Sequence, residues 1–185
     1  LQTANQQNSD AIILEINTPG GLVSSMLAIT QGILNSKTPV ISYVSPKGAS
    51  ATSAGAFIVY ASPVAVMAPA TNIGAASPIP LGGDAPNNNP KPEQDEQDPS
   101  PQTTGQVKAM EDLSARMRAM AERHHRNPEA AQAMVLQGKS FSAETAVKDN
   151  IVNFMADDLN DLLVKLDGYV IKIGPQTQTI YTANK

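Results

Sequence analysis

The chain has 185 residues, enough for one domain with a substantial buried core. Its hydrophobic content of 41% excludes a disordered chain, and the lack of cysteine excludes disulfides, thiolate metal sites and a cysteine nucleophile. The net charge of −4 is confined to one stretch, because between Asp84 and Thr104 five acids face a single base. No basic patch stands out, so nucleic acid is not an expected partner.

In chain order, 11–16 is a short apolar run that stops at Thr18-Pro19-Gly20-Gly21, the pattern of a buried strand entering a tight turn. Leu22, Met26, Ile29 and Ile33 then recur at helical spacing to Leu34, with Ser24 as the expected cap. A β-branched run, 40–44, follows Thr38-Pro39. Strand, helix and strand over this length describe a βαβ unit with a parallel sheet. A small-residue segment from Pro46 leads into an expected helix over 51–61, then a strand over 64–67 and a Gly-containing turn over 71–74. The acidic, Pro- and Asn-rich segment 82–105 cannot bury enough apolar surface to offset its ordering and is expected to be a mobile loop.

Beyond it, Met110, Leu113, Met117 and Met120 form one face of a helix expected over 106–126. Further helices are expected over 128–137, 143–149 (opened by Ser142) and 159–166. A strand over 151–155 and a hairpin around Gly174-Pro175 complete the expectation. The whole reads as one α/β domain, 1–185. Its most apolar stretch, 54–70, is broken by Pro63 and closed by Pro69, short of the roughly 20 apolar residues a membrane span needs. With no initiator Met and no signal peptide, the chain is expected to be a piece of a longer protein.

Candidates for chemistry are few. His124 and His125 are adjacent, so they do not share a helix face, and they read as a solvated helix end beside Arg123 and Arg126. A Ser-His-Asp triad would need one of them to reach the turn at Ser53. A serine opening a helix after a strand exposes its hydroxyl, and the next amide, that of Ala54, points outward with the helix dipole. Small neighbours let a peptide backbone approach. The Gly20-Gly21 turn can offer a second outward N–H, although both turns also read as plain tight turns. The methionine stripe puts Lys108 opposite the apolar face, where a solvated lysine is expected; Lys47 is nearer to Ser53 in sequence.

Taken together, Thr18-Pro19-Gly20-Gly21, the segment from Gly48 through Ser53 to Gly55, and the segment from Met67 to Ala75 resemble the membrane-bound, ClpP-class proteases of the NfeD (stomatin operon partner) family. The likeness continues at Arg126-Asn127, 142–146, 156–163 and Asp167-Gly168, so it covers nearly the whole chain. It implies a ClpP/crotonase-like α/β fold with repeated units and a mainly parallel sheet. It also implies a serine endopeptidase with a Ser–Lys dyad, Ser53 rather than Ser50 being the nucleophile. Gly21 and Ala54 would form the oxyanion hole. The base is implied to be Lys108, about nineteen residues before Asn127. No cofactor and no metal are implied. The implied substrates are hydrophobic peptides or stomatin-like membrane proteins, and the expected assembly is a homodimer. The parent protein would be membrane-associated, with this domain extracytoplasmic.

The chain departs from the family pattern in its lengthened acidic insert and in starting close to its first strand. Two neighbours of the same fold remain as alternatives: a signal peptide peptidase and a crotonase-like acyl-CoA enzyme. A third alternative is a non-catalytic scaffold, in which the Ser53 turn only packs. A lysine base must be neutral, whereas an unperturbed lysine titrates near 10.4; reaching neutrality at pH 7 costs roughly 4 kcal/mol. Desolvation by Ile73, Ile79, Leu81 or nearby Met residues is the expected source.

Overall fold

The structure, a computed structural model, describes residue 3 and residues 9–78, 104–173 and 176–182. The expected acidic loop falls almost wholly outside these residues, as do Ile79, Leu81 and the tip of the hairpin at Gly174-Pro175.

Four strands, β1 (Ile12–Ile16), β2 (Val40–Val44), β4 (Val64–Met67) and β7 (Phe154–Met155), form a parallel sheet in the order β1-β2-β4-β7. Helices α1 (Val23–Leu34) and α2 (Ala54–Ala61) are the crossovers that parallel strands require. Both β2 and β4 are buried along their entire length, which fits their largely apolar sequences, and the buried Ser42 hydroxyl donates to Val64 O (3.4 Å). Their side chains alternate between two cores: Val40, Val44, Ala65 and Met67 join one, whereas Ile41, Tyr43, Val64 and Val66 join the other.

The first core is covered by α1, α2, α3 (Thr104–Arg123) and α4 (Pro128–Leu136), with Met26, Phe57, Met117 and Met134 among its members. The methionine stripe of α3 faces inward as expected, with Leu113, Met117 and Met120 buried. The second core is closed by α6 (Leu159–Leu166) and the hairpin β8 (Val170–Ile173) and β9 (Gln176–Thr179). A smaller sheet, β3 (Ser50–Thr52), β5 (Asn72–Gly74) and β6 (Ser140–Ser142), stands beside the main one and leads to α5 (Ala143–Lys148).

Several boundaries differ from the sequence expectation. Ser24 lies inside α1, whose N-cap is Leu22, and no side chain caps it. Residues 51 and 52, expected to open the helix, are instead part of strand β3, because it pairs with 72–74, within the expected turn 71–74. Helix α3 stops at Arg123, short of Arg126. There Arg126 N–H donates to Ala121 O (2.8 Å) and His125 N–H to Glu122 O (3.2 Å), with His125 at φ 55°. That is a Schellman closure with His125 in the left-handed position. Helix α5 ends the same way at Asn150 (φ 55°), with Ile151 N–H donating to Ala146 O. The expected strand over 151–155 is therefore cut to its last two residues.

Arg126, only 3% exposed, then turns inward. It donates to Val59 O (2.9 Å), Ser62 O (2.8 Å) and Asn153 Oδ1 (3.0 Å), while its Nε has no partner among the described residues. The guanidinium thus ties the C-terminal end of α2 to the α3–α4 turn. Burial pulls its pKa down to about 10. Arg126→Ala removes the guanidinium from Ser62 O and Asn153 Oδ1 and leaves Val59 O with only the Ser62 N–H, and it should destabilise the domain by about 3 kcal/mol or more in urea titration. An unchanged midpoint would show that the ties carry no stability.

Candidate active site

Strand β3 is held on both sides. Thr18 N–H donates to Ser50 O (2.7 Å) and Thr52 N–H to Thr18 O (3.1 Å), while β5 runs parallel on the other edge. The chain leaves β3 through Ser53, whose N–H donates to Gly74 O (3.0 Å) and whose carbonyl accepts from Ala56 N–H (3.1 Å). Ser53 has φ 54° and ψ −115° and is the N-cap residue of α2. A side chain at positive φ is strained, and this strand–turn–helix form presents it outward.

The Gly20-Gly21 turn packs onto this corner. A Cβ on Gly20 (φ 149°) would lie 3.1 Å from Ser53 Cβ and 3.5 Å from its Oγ. One on Gly21 would lie 3.6 Å from Ala54 Cβ, and one on Gly55 would press into Thr18 Cγ2 at 2.8 Å. Thr18 Oγ1 accepts from Gly20 N–H (3.2 Å) and donates to Gly20 O (2.8 Å). The amides of Gly21 and Ala54, by contrast, have no partner among the described residues, and Ala54 is the first residue of a helix. Ser53 Oγ likewise makes no hydrogen bond there, and the residue is half-buried. The structure therefore brings Ser53, Ala54 and Gly21 together.

Ser50 differs in kind: its Oγ donates to Asn72 Oδ1 (2.6 Å) and its N–H to Asn17 Oδ1 (3.3 Å). Beside the corner, a groove of about 560 Å3 runs between the edge strand β1 and α1, lined by Leu14, Ile16, Leu22, Met26 and Ile58. Ile73 is fully buried in the core and does not line this groove.

Lys108 stands near the start of α3, exposed, as the methionine periodicity implied. No hydrogen bond among the described residues joins it to Ser53. Lys47 is engaged elsewhere, 3.5 Å from Asp157 in an exposed ion pair.

Among solved structures, the 1510-N membrane-bound stomatin-specific protease superposes well. A lysine-to-alanine mutant of it in complex with a substrate peptide gives a TM-score of 0.82 at 33% identity, covering 99% of this chain and 78% of that one. This chain belongs to the NfeD family. The NfeD1b N-terminal domain family matches residues 1–92. This NfeD chain is 37% identical over 174 residues to the membrane-bound protease PH1510 of Pyrococcus horikoshii, covering 92% of this chain and 35% of that protein. It is 31% identical to the membrane protein NfeD1b of Bacillus subtilis, covering 90% and 36%. The chain thus spans about a third of the length of these two relatives. ClpP1 from Listeria monocytogenes, at 18% identity and a TM-score of 0.60, shares the fold over 87% of this chain and 82% of its own.

His124 is not the solvated residue that the sequence suggests. The Schellman closure turns it inward, where Nε2 lies 3.1 Å from Ala61 O at the end of α2. Burial, then the charge of Arg126, pushes its pKa down to about 4, although the Ala61 bond opposes this. The unfolded chain, with an ordinary histidine near 6.5, therefore binds more protons between those values. Stability contributed by neutral His124 should be complete above pH 6.5 and fall by about 3 kcal/mol as pH approaches 4. Urea midpoints of wild type minus His124→Gln across that range should show this slope; a flat difference would contradict it.

Proposed function

We propose that residues 1–185 form the protease domain of a longer membrane protein, with Ser53 as nucleophile and Lys108 as general base. The observation that carries this reading is the Ser53 corner itself: a residue at φ 54° whose hydroxyl, like the two amides beside it, has no partner among the described residues. In the reaction, Ser53 Oγ attacks the peptide carbonyl carbon while Lys108 Nζ takes its proton. The Gly21 and Ala54 amides hold the oxyanion. As the C–N bond breaks, Lys108 returns the proton to the leaving amine, and water then releases the acyl group by the same steps.

Lys108 is exposed, so protein burial does not desolvate it among the described residues. An apolar peptide laid across it excludes water and favours the neutral amine that a base requires. The apolar groove beginning at Gly21 and Ala54 supports such a substrate. The relatives support it too, since serine-to-alanine and lysine-to-alanine variants both occur among the related stomatin-specific protease structures, one of them with a substrate peptide. We accordingly propose hydrophobic segments of stomatin-like membrane proteins as substrates. A homodimer is the proposed assembly, and an extracytoplasmic face of the membrane its location. No helix among the described residues is long and apolar enough to cross a membrane.

Ser53→Ala should abolish cleavage of an apolar peptide with the fold intact by circular dichroism, whereas Ser50→Ala should keep most activity. Mass spectrometry of the products decides, and a dead Ser50→Ala beside an active Ser53→Ala would refute the assignment. Lys108→Ala and Lys108→Arg should both fall to the level of Ser53→Ala in single-turnover cleavage, because a guanidinium does not give up its proton. Full activity in Lys108→Arg would remove the lysine from the mechanism and turn attention to Lys47.

A further inference from the structure

Ser53 marks one end of α2; roughly 12 Å away, at its other end, lies a cavity of about 330 Å3. Its floor is Pro63 and Val64 at the start of β4. Arg123, His124 and His125 wall it on one side, and Asn153, Tyr169 and Lys172 on the other.

Some of the positive charge here has a structural purpose. The last carbonyls of α2 carry the negative end of its dipole, and Arg126 and His124 meet them. Arg123, His125 and Lys172 meet none of them. Among the described residues no ion pair engages these three, and no Asp or Glu lines the cavity. The field is felt by His124, whose proton affinity Arg126, Arg123 and His125 all reduce beyond the effect of burial.

Two neutral groups complete the wall. Asn153 Oδ1 is fixed by Ala65 N–H (2.8 Å) and by Arg126 (3.0 Å), which turns its amide nitrogen towards Tyr169 OH at 3.4 Å. The backbone of His125 is fixed as well, its carbonyl accepting from Asn150 Nδ2 at 2.8 Å. Three cationic or protonatable groups and two neutral donors, converging from separate elements, suit a compact anion with several oxygens better than a single carboxylate.

We propose that this cavity binds a phosphate group, held by Arg123, Lys172 and His125 with Asn153 and Tyr169 as neutral donors. The group comes from a soluble phosphate compound or from a lipid headgroup, and its site is separate from the Ser53 corner.

The test follows the two histidine ring resonances of the 185-residue chain by NMR at pH 7 as pyrophosphate, or potassium chloride at matched ionic strength, is added. A parallel arm sediments the protein with phosphatidylglycerol or phosphatidylcholine vesicles. A saturable His125 shift with pyrophosphate and not with chloride supports a soluble phosphate ligand. Retention on phosphatidylglycerol vesicles alone, without that shift, supports the headgroup. In either case the Arg123→Ala/Lys172→Ala double variant should bind at least tenfold more weakly, and its Ser53-dependent cleavage should be unchanged. Both substitutions are at exposed positions, and circular dichroism checks the fold. No binding in either arm, or binding that ignores the double substitution, overturns the proposal.

Discussion

The Ser53 corner depends on one backbone constraint, the positive φ of Ser53 at the junction of β3 and α2. A side chain there costs about 1–3 kcal/mol, so its surroundings must over-determine it. They do so through hydrogen bonds on both edges of β3 and through the Gly74 carbonyl, which accepts the Ser53 amide. Gly74 is itself fixed, because φ 139° and the close approach of the Lys139 carbonyl leave no room for a Cβ. Strand β6, distant in sequence, thereby helps to set the direction in which the Ser53 hydroxyl points.

The same logic explains the small residues around the corner. Glycines at 20, 21 and 55 do not simply loosen the chain. Each marks a place where another segment comes within contact of the Cα. Helix α2 is then gripped at both ends, by the Ser53 corner at its start and by Arg126 and His124 at its finish. Its first amide, that of Ala54, is therefore held in a fixed direction, which the proposed oxyanion role requires.

Much of the fold was legible in the sequence because burial on both sides writes itself as nearly continuous apolar runs; 40–44, broken only by Ser42, and 64–67 are the clearest cases. The methionine stripe of α3 was legible for a similar reason. Most helix ends were legible too, with those at Leu34, Ala61 and Leu166 falling where expected; the end of α3 was not. The Schellman closure at His125 arises from backbone bonds that no side-chain pattern announces, and it moved Arg126 and His124 from their expected settings. An arginine between histidine and asparagine reads as surface; only the three-dimensional path reveals that it reaches the carbonyls of α2. Near Ser53, the motif separated strand from helix poorly, since β3 exists through pairing with Thr18 and with the distant strand β5. The contrast between Ser50, bonded to Asn72, and Ser53, unbonded, belongs to the structure and not to composition.

On the proposed dyad, the exposed Lys108 and the apolar groove at the Ser53 corner bear on each other. The neutral form of the lysine then depends on whatever covers it, so the substrate completes the site. A polar peptide could then occupy the backbone positions while leaving the amine hydrated and charged, and would bind without reacting. An apolar segment would dry the amine on docking and gain reactivity in proportion. Discrimination between the two would then appear in the rate of the chemical step rather than in affinity, because the apolar side chains contribute where charge is being moved. A domain built this way needs no tight binding to be selective, and its catalytic lysine can remain solvated until an apolar substrate arrives.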